Sequence, residues 1–322
     1  MSNFSDTIDR GDVAPLIPED ATKEILGAAA EQSAVMTLAR RLPDMSRAQR
    51  RLPVWSSLPH AYFVNGDTGL KQTTDARWRN VFINAEELAV IVVIPDNVLD
   101  DVDYDLWSEM KPGIVEALGQ AVDQAVLYGI NAPDLWPEGV VEVAEQQGHV
   151  LTIGTNGDLY DDILGEGGTL SMVEEDGYMV NGHIAAISLR AKMRGLRDTD
   201  GQPVFRAGKV STEGGRANYE LDGEPVQFPR NGAIDPARSL LISGDFNQLV
   251  YAIRKDITYS VHTDGVITDA GGNILLNLMQ QDSTALRCVF RLGWALPNPI
   301  NRVNEDDATR FPFAVLEPDN AS

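Results

Sequence analysis

Apolar residues recur every four positions from Leu106 through Met110, Ile114, Leu118 and Val122 to Val126, joined by Val115, Ala121 and Ala125. That spacing lines one face of a helix and predicts a rod over 105–128. At 1.5 Å per residue the rod is about 36 Å long. Pro112-Gly113 should kink it near its start, and Gly129 is placed to stop it. Upstream, Leu88 to Ile94 is the longest purely apolar run. It is too short to cross a bilayer and predicts a buried strand over 86–94, broken by Pro95-Asp96. A second helical recurrence, Ile25, Leu26, Ala29, Ala30, Val35, Met36 and Leu38, predicts a helix from Pro18-Glu19-Asp20 to Arg41, ended by Pro43. Residues 1–18, with Gly11, Pro15 and Pro18 and no periodicity, read as a loose arm.

Residues 52–84 read as a long two-stranded arm. Val54 and Trp55 lie in its first strand, Ala61 to Val64 follow, and Trp78 to Ile83 form the returning strand. Asn65-Gly66-Asp67 is a turn signal, because Asn and Gly tolerate positive φ. An isolated hairpin is marginal in water, and this one has few apolar residues near its tip, which points to a partner chain.

After Asn131 short strand-like and helical pieces alternate with loops rich in Gly, Asp and Asn. Gly157 to Gly168 reads as a loop, Gly182 to Arg194 as a helix, and Asp198 to Gly201 as a hairpin turn. A further helix is expected to open at Gly244-Asp245-Phe246 and reach Arg254. Ile257 to His262 and Leu286 to Leu292 alternate as strands.

Composition narrows the function. With 322 residues and 43% hydrophobic content the chain can bury a substantial core. A formal charge of -22 argues against broad phosphate binding, which needs Lys and Arg to displace counterions. It does suit a container wall that repels DNA and leaves it mobile. Cys288 is the only cysteine, so no intrachain disulfide forms, in keeping with a reducing cytoplasm. Met1 to Asp12 has no apolar core, so no signal peptide is expected, and the chain reads as soluble and intracellular when made, with no membrane contact.

Charge is distributed unevenly. The stretch from Glu86 to Glu109 carries acids and no base. Arg40, Arg41, Arg47, Arg50 and Arg51 form a basic patch opposed locally only by Asp44. Such a patch is either a solvated face or a contact with acidic neighbouring subunits.

The residues that usually carry chemistry are scattered. His60, His149, His183 and His262 lie at no zinc spacing, with each other or with Cys288. No Ser sits in a nucleophile elbow and no Walker-type loop occurs. Gly165-Glu166-Gly167-Gly168 lacks the third glycine of a dinucleotide loop and places a carboxylate where phosphate would sit. We expect no catalytic, cofactor-binding or metal-binding residues, no cofactor and no enzyme activity.

The order of the elements over 52–129 carries a resemblance: a long β-arm, a buried strand, an acidic break and a kinked helix ending in Gly. It resembles the major capsid proteins of tailed double-stranded DNA bacteriophages, the Hong Kong 97 fold. Leu58-Pro59 through Tyr62-Phe63-Val64-Asn65-Gly66-Asp67-Thr68-Gly69-Leu70-Lys71-Gln72-Thr73-Thr74 looks like the extended loop of capsid proteins of phages infecting actinobacteria. Glu86 to Ile91 with Val98-Leu99-Asp100-Asp101 resembles the lead into the family's spine helix, on which Asp123 and Gly129 fall at familiar places. Leu196 to Phe205 is similar to a hairpin of the axial domain, and Gly244-Asp245-Phe246 to the start of a later axial helix.

The resemblance implies an α+β fold with an N-terminal arm (1–51), an extended loop (52–84), a peripheral domain (85–140 with 255–293) and an axial domain (141–254 with 294–322). It implies a virion shell of hexamers and pentamers around double-stranded DNA, held without sequence-specific binding and assembled in the host bacterial cytoplasm. A separate scaffolding protein, a portal and a possible cement protein are the partners it brings. No long N-terminal scaffolding segment fits before residue 52, so a separate scaffold is expected. The inter-subunit contact residues are expected to be Arg40, Arg41, Arg50, Arg51, Tyr62, Phe63, Leu70, Lys71 and Trp78. Lys71 is the only Lys of the extended loop, but no partner Asn for a crosslink can be placed. An encapsulin shell, which shares the fold and encloses protein cargo, is the alternative reading. A soluble acidic hydrolase is a second one.

Overall fold

The computed structural model describes residues 33–64, 69–97, 106–195, 197, 202, 205–207, 219–268 and 271–319. The start of the expected helix from Pro18, the turn at Asn65-Gly66-Asp67, the acidic stretch 98–105 and the turn at Asp198 to Gly201 lie outside them.

In chain order the elements are α1 (Ala34–Leu38), β1 (Arg40–Arg41), β2 (Gln49–Ser57), β3 (Arg77–Asn84), β4 (Glu86–Pro95), α2 (Leu106–Tyr128), α3 (Val140–Gln147) and β5 (Val150–Thr152). Then come α4 (Leu159–Leu164), α5 (Thr169–Glu175), β6 (Gly182–Ala185), a 3₁₀ turn (Ile187–Leu189) with α6 (Arg190–Met193), and β7 (Phe205–Ala207). The chain continues with β8 (Tyr219–Leu221), β9 (Glu224–Gln227), β10 (Leu241–Gly244), β11 (Val250–His262), β12 (Val266–Thr268), β13 (Ile274–Asn277), β14 (Ser283–Ala295) and β15 (Phe313–Glu317).

Two sheets organise the chain: four strands in the order β1-β11-β14-β4, and seven in the order β5-β15-β10-β6-β9-β8-β7. The helix expected over 105–128 is present as α2, with Pro112 inside it. Its apolar stripe, Ile114, Leu118, Val122 and Val126, is buried against Leu286, Cys288, Phe290 and Leu292 of β14, and the same cluster takes in Ile242, Phe313 and Val315 of the second sheet. One continuous core therefore ties the spine helix to both sheets. Gly129 ends α2 at φ +66, a conformation that costs an L side chain dearly, and a Cβ there would also strike the Glu142 carboxylate.

The expected strand over 86–94 is present but only half buried. Leu88, Val90 and Val92 pack on the core while Glu87, Ala89 and Ile91 are exposed on the other face, which also carries Arg287 and Arg291 of β14. An unbroken apolar run does not distinguish a central strand from an edge strand whose other face awaits a cover.

Two expected helices are corrected. Gly182 to Ala185 is strand β6, fully buried between β10 and β9, and only 187–193 coils. The four or five apolar positions there fit either period, and central burial decides for strand. From Gly244 the chain makes one turn, closed by Leu249 N–H to Phe246 O at 3.2 Å, and enters β11 at Val250. Val250 and Ala252 are buried on one face of that strand and Tyr251 and Ile253 on the other, so no polar alternation marks it as a strand. The loop expected over 157–168 contains α4, opened by Asp158, whose carboxylate accepts from Tyr160 N–H at 2.8 Å and Asp161 N–H at 3.0 Å. The two downstream strands are longer than their alternation suggests, pairing antiparallel as β11 and β14 from Val250↔Ala295 to His262↔Ala285.

A buried polar hub fixes the segment after β14. The Arg310 guanidinium is fully buried and donates to Tyr178 Oη (3.2 Å), Asn304 O (2.9 Å) and Asn298 O (3.2 Å), with Asp307 as its ion-pair partner. Beside it the Asp176 carboxylate accepts from Phe311 N–H (2.6 Å) and the Asn304 amide (2.7 Å), and stands 3.2 Å from His149 Nε2. This hub ties residues 298–307 to Asp176 and Tyr178, and the arm rests on that segment.

Candidate assembly interface

Strands β2 and β3 form the two-stranded arm, with Trp55 opposite Trp78 and Arg51 opposite Phe82. The pleat divides it into two faces. On the inner face Leu52, Val81 and Ile83 pack with Met45, Val250, Ala252 and Ala295 into a small core of their own, and Val54 on the same face is buried. On the outer face Arg51, Trp55, Trp78 and Phe82 are exposed. Trp55 and Trp78 stack with ring centroids 4.3 Å apart, yet Trp78 remains 58% exposed and Phe82 46%. Large aromatics flanked by Arg on an outward face are the composition of interface hot spots.

The base of the arm is fastened to its own subunit. Arg79 donates to Pro297 O (3.1 Å) and Asn298 O (2.8 Å) and pairs with Asp307 (3.0 Å). Ile300 N–H donates to Trp55 O (3.2 Å), Arg302 to Pro59 O (2.6 Å) and the Trp136 indole to Asn84 O (3.0 Å). Gly293 of β14 lets the Asn84 carbonyl approach so closely that any Cβ there would collide with it.

Among the described residues of 60–75, no hydrogen bond or ion pair reaches the rest of the subunit. Residues 58–64 and 69–76 have no regular structure. Tyr62 Oη donates to Gln72 O at 2.7 Å and clamps the two sides of the tip together. Phe63 is 101% exposed, Leu70 88%, and Lys71 is exposed as well. Of the expected contact residues, Tyr62, Phe63, Leu70 and Lys71 thus gather at the tip and Trp78 lies on the outer face. Sequence reasoning did not single out Trp55 and Phe82. The alternation Trp78, Asn80, Phe82 in the returning strand is the signal that places them there.

The basic patch separates into two groups. Arg41 pairs with Asp44 at 3.0 Å, and Arg50 donates to Pro43 O (2.6 Å) and Asp44 O (3.3 Å), so both hold the chain between β1 and β2. Arg40, Arg47 and Arg51 are exposed and make no ion pair among the described residues.

A second junction lies on the spine helix. The Asp123 carboxylate is fully buried and accepts from Ser33 Oγ (2.6 Å), Ala34 N–H (3.0 Å) and Val35 N–H (3.1 Å). It therefore ties the start of α1 to α2. Burial pushes its carboxyl up to about 6, and hydrogen bonds from Ser33, Val35, Ala34 and Asn231 pull against that rise.

Among the described residues no group of three His, Cys, Asp or Glu could hold a metal ion, and no helix is long and apolar enough to cross a membrane. The chain is 26% identical over 275 residues to the major capsid protein of Staphylococcus phage 80alpha, covering 84% of this chain and 79% of that protein. Among solved structures it is similar to a chain of Microbacterium phage Oxtober96, with 30% identity and a TM-score of 0.75 over 97% of this chain and 100% of that one. It is also similar to a chain of Mycobacterium phage Adephagia, with 27% identity and a TM-score of 0.73 over 98% and 99%. A model of the phage capsid family matches residues 14–300. With a spine helix across two sheets, a projecting arm and a match over most of its length, the chain belongs to the phage capsid family.

Proposed function

We propose that this chain is a major capsid subunit that packs as hexamers and pentamers into an icosahedral shell around double-stranded DNA. Membership of the capsid family makes it a structural, shell-forming protein of the virion. One observation carries the finer reading. The arm is rigidly based on its own subunit but ends in Tyr62, Phe63 and Leu70, which that subunit does not cover. A chain selected to fold alone would not retain such a tip, since ordering it costs about 1–2 kcal/mol per residue of backbone. Covering it with a neighbouring subunit returns that cost through burial.

The proposed division is an N-terminal arm (1–51), an extended loop (52–84), a peripheral domain (85–140 with 255–293) and an axial domain (141–254 with 294–322). The four-stranded sheet with α2 supports the peripheral domain, although β11 and β14 run on past residues 254 and 293. A separate scaffolding protein, a portal and a cement protein complete the proposed partners, with assembly in the host cytoplasm.

The exposed arginines test the reading. Arg40→Ser with Arg51→Ser removes two exposed cations, without ion pairs among the described residues, from a chain of net charge -22 and leaves the pairs that Arg41 and Arg50 make. Each exposed pair is worth only about 0–1 kcal/mol, but symmetry repeats it at every interface. The expected result is lower particle yield and assembly more sensitive to salt. Wild-type yield across a salt series would refute a role for this patch.

A further inference from the structure

Residues 296–312, between β14 and β15, contain neither helix nor strand. Three ties of the arm nevertheless land on them: Arg79 on Pro297 O and Asn298 O, Ile300 N–H on Trp55 O, and Arg302 on Pro59 O. A loop can direct an arm only if the loop itself is held. Apolar packing does not hold this one, because within 301–310 the sole buried residue is Arg310.

Arg310 closes the segment on itself. Its Nη1 and Nη2 donate back to Asn304 O (2.9 Å) and Asn298 O (3.2 Å), its Nε donates to Tyr178 Oη (3.2 Å), and Asp307 is its ion-pair partner. Asn298 takes the left-handed conformation at φ +43, and its side-chain amide donates in return to Arg310 O at 2.8 Å. The backbone of Arg310 is fixed in turn, since Phe311 and Phe313 beyond it belong to the main core. A guanidinium is a rigid fork whose donors point in set directions, so partners at four places define one shape of the loop. A buried ion pair adds little stability over apolar packing of the same volume, so what this one supplies is a fixed geometry.

The arm shares these anchors. The Asp307 carboxylate gives Oδ1 to Arg310 and Oδ2 to Arg79 (3.0 Å), and the Asn298 carbonyl accepts from both guanidiniums. Arg79 lies four residues out from fully buried Ile83, about 14 Å along β3 at 3.4 Å per residue. Two fixed points that far apart set a direction: the apolar root at Ile83 and the loop held by Arg310.

We propose that Arg310 is a positioning residue for assembly: by holding 297–307 in one shape it fixes the bearing at which the arm leaves the subunit, and with it the angle between neighbouring subunits. The proposal rests on the reading of the arm as an inter-subunit element. It adds that the bearing is set from outside the arm, at the entry to the seven-stranded sheet, by a side chain buried within its own subunit.

Hydrogen exchange and particle size of the full chain test it. Arg310→Lys keeps the charge but loses the fork. Amides of β2 and β3 should then exchange several-fold faster, amides of β6 and β10 at the wild-type rate, and the particles should spread in size. Asp307→Asn should act in the same direction more weakly. Asp307→Glu, which keeps the carboxylate at a half-exposed position, should stay close to wild type. Unchanged exchange in β2 and β3, a rise shared equally by β6 and β10, or an Asp307→Glu variant as altered as Asp307→Asn would each overturn the proposal. Faster arm exchange with an unchanged size distribution would overturn the role in assembly. If Arg310→Lys does not fold, the Asp307 pair decides alone. The broader reading fails separately: a wild-type chain that forms no capsomers or shells overturns it and this role together, whereas wild-type shells with unaltered variants remove only Arg310.

Discussion

Replacing residues 60–76 by a short Gly-Ser turn should leave a folded, soluble subunit that closes no shells. The structure gives the reason for both halves. Among the described residues, the contacts that hold the arm to its own subunit lie outside the deleted stretch: Arg79 on 297, 298 and 307, Ile300 on Trp55, Arg302 on Pro59 and Trp136 on Asn84. The inner face, Leu52, Val81 and Ile83 against Val250 and Ala252, is also retained. Among the described residues the deleted stretch contributes the Tyr62–Gln72 clamp and an exposed Asp75–Arg77 pair and is otherwise largely exposed. The melting temperature should therefore stay within a few degrees of wild type, since surface changes away from packed features shift stability by about 0.5 kcal/mol or less. Assembly should be lost altogether, because every subunit loses the same contact. A melting curve and a sedimentation profile separate the outcomes. Unfolding or aggregation would place the tip in the subunit's own core, and closed shells would make it dispensable.

Asp123 should make the subunit less stable as pH rises from 4 to 6, opposite to the behaviour of an ion-paired carboxylate. Its carboxyl is raised from 3.8 to about 6 by burial. The folded state thus binds the proton more tightly than the unfolded chain. The stability this adds is complete below pH 3.8, is lost as pH rises through the folded value, and is gone above about 6. A shift of that size is worth about 3 kcal/mol. Asp123→Asn should flatten this slope. Asp123→Ala should destabilise most below pH 4, by about 2–3 kcal/mol, because Ser33 Oγ and the Ala34 and Val35 N–H groups lose their acceptor in a buried place, and by less as pH rises through the folded value. Urea midpoints at several pH values, in the arm-shortened background so that unfolding is not coupled to assembly, measure both effects. An Asn variant with the wild-type slope would remove Asp123 as its source.

The half of the chain built from long periodic elements was legible before any coordinates. The four-residue repeat of α2, the stop at Gly129 and the two strands of the arm follow from local rules, and the order of these elements carried the family resemblance. What was not legible depends on which strands become neighbours. Gly182 to Ala185 and Val250 to Ile253 are buried on both faces, so neither shows the alternation that marks a strand. Conversely, β4 reads as fully buried but sits at an edge. Of the proposed contact residues, the tip was visible because Phe63, Leu70 and Lys71 stand out in a polar turn. Trp55 and Phe82 emerged only from the register that puts them on the outer face with Trp78. Arg41 and Arg50 look like free cations in the sequence, and their partners, Asp44 and the Pro43 carbonyl, become apparent once the chain between β1 and β2 is folded. Buried Arg310 gave no local signal, since its partners at 178 and 298–307 meet only in the folded chain.

Sedimentation velocity of the purified full chain, with negative-stain microscopy of the same fractions, tests the central claim most directly. A shell subunit should run as capsomers, tubes or particles many times larger than a single 35.1 kDa chain, and addition of the proposed scaffolding protein should narrow these to shells of one size. A single species of one or two chains at every concentration, unchanged by scaffold, would contradict the account.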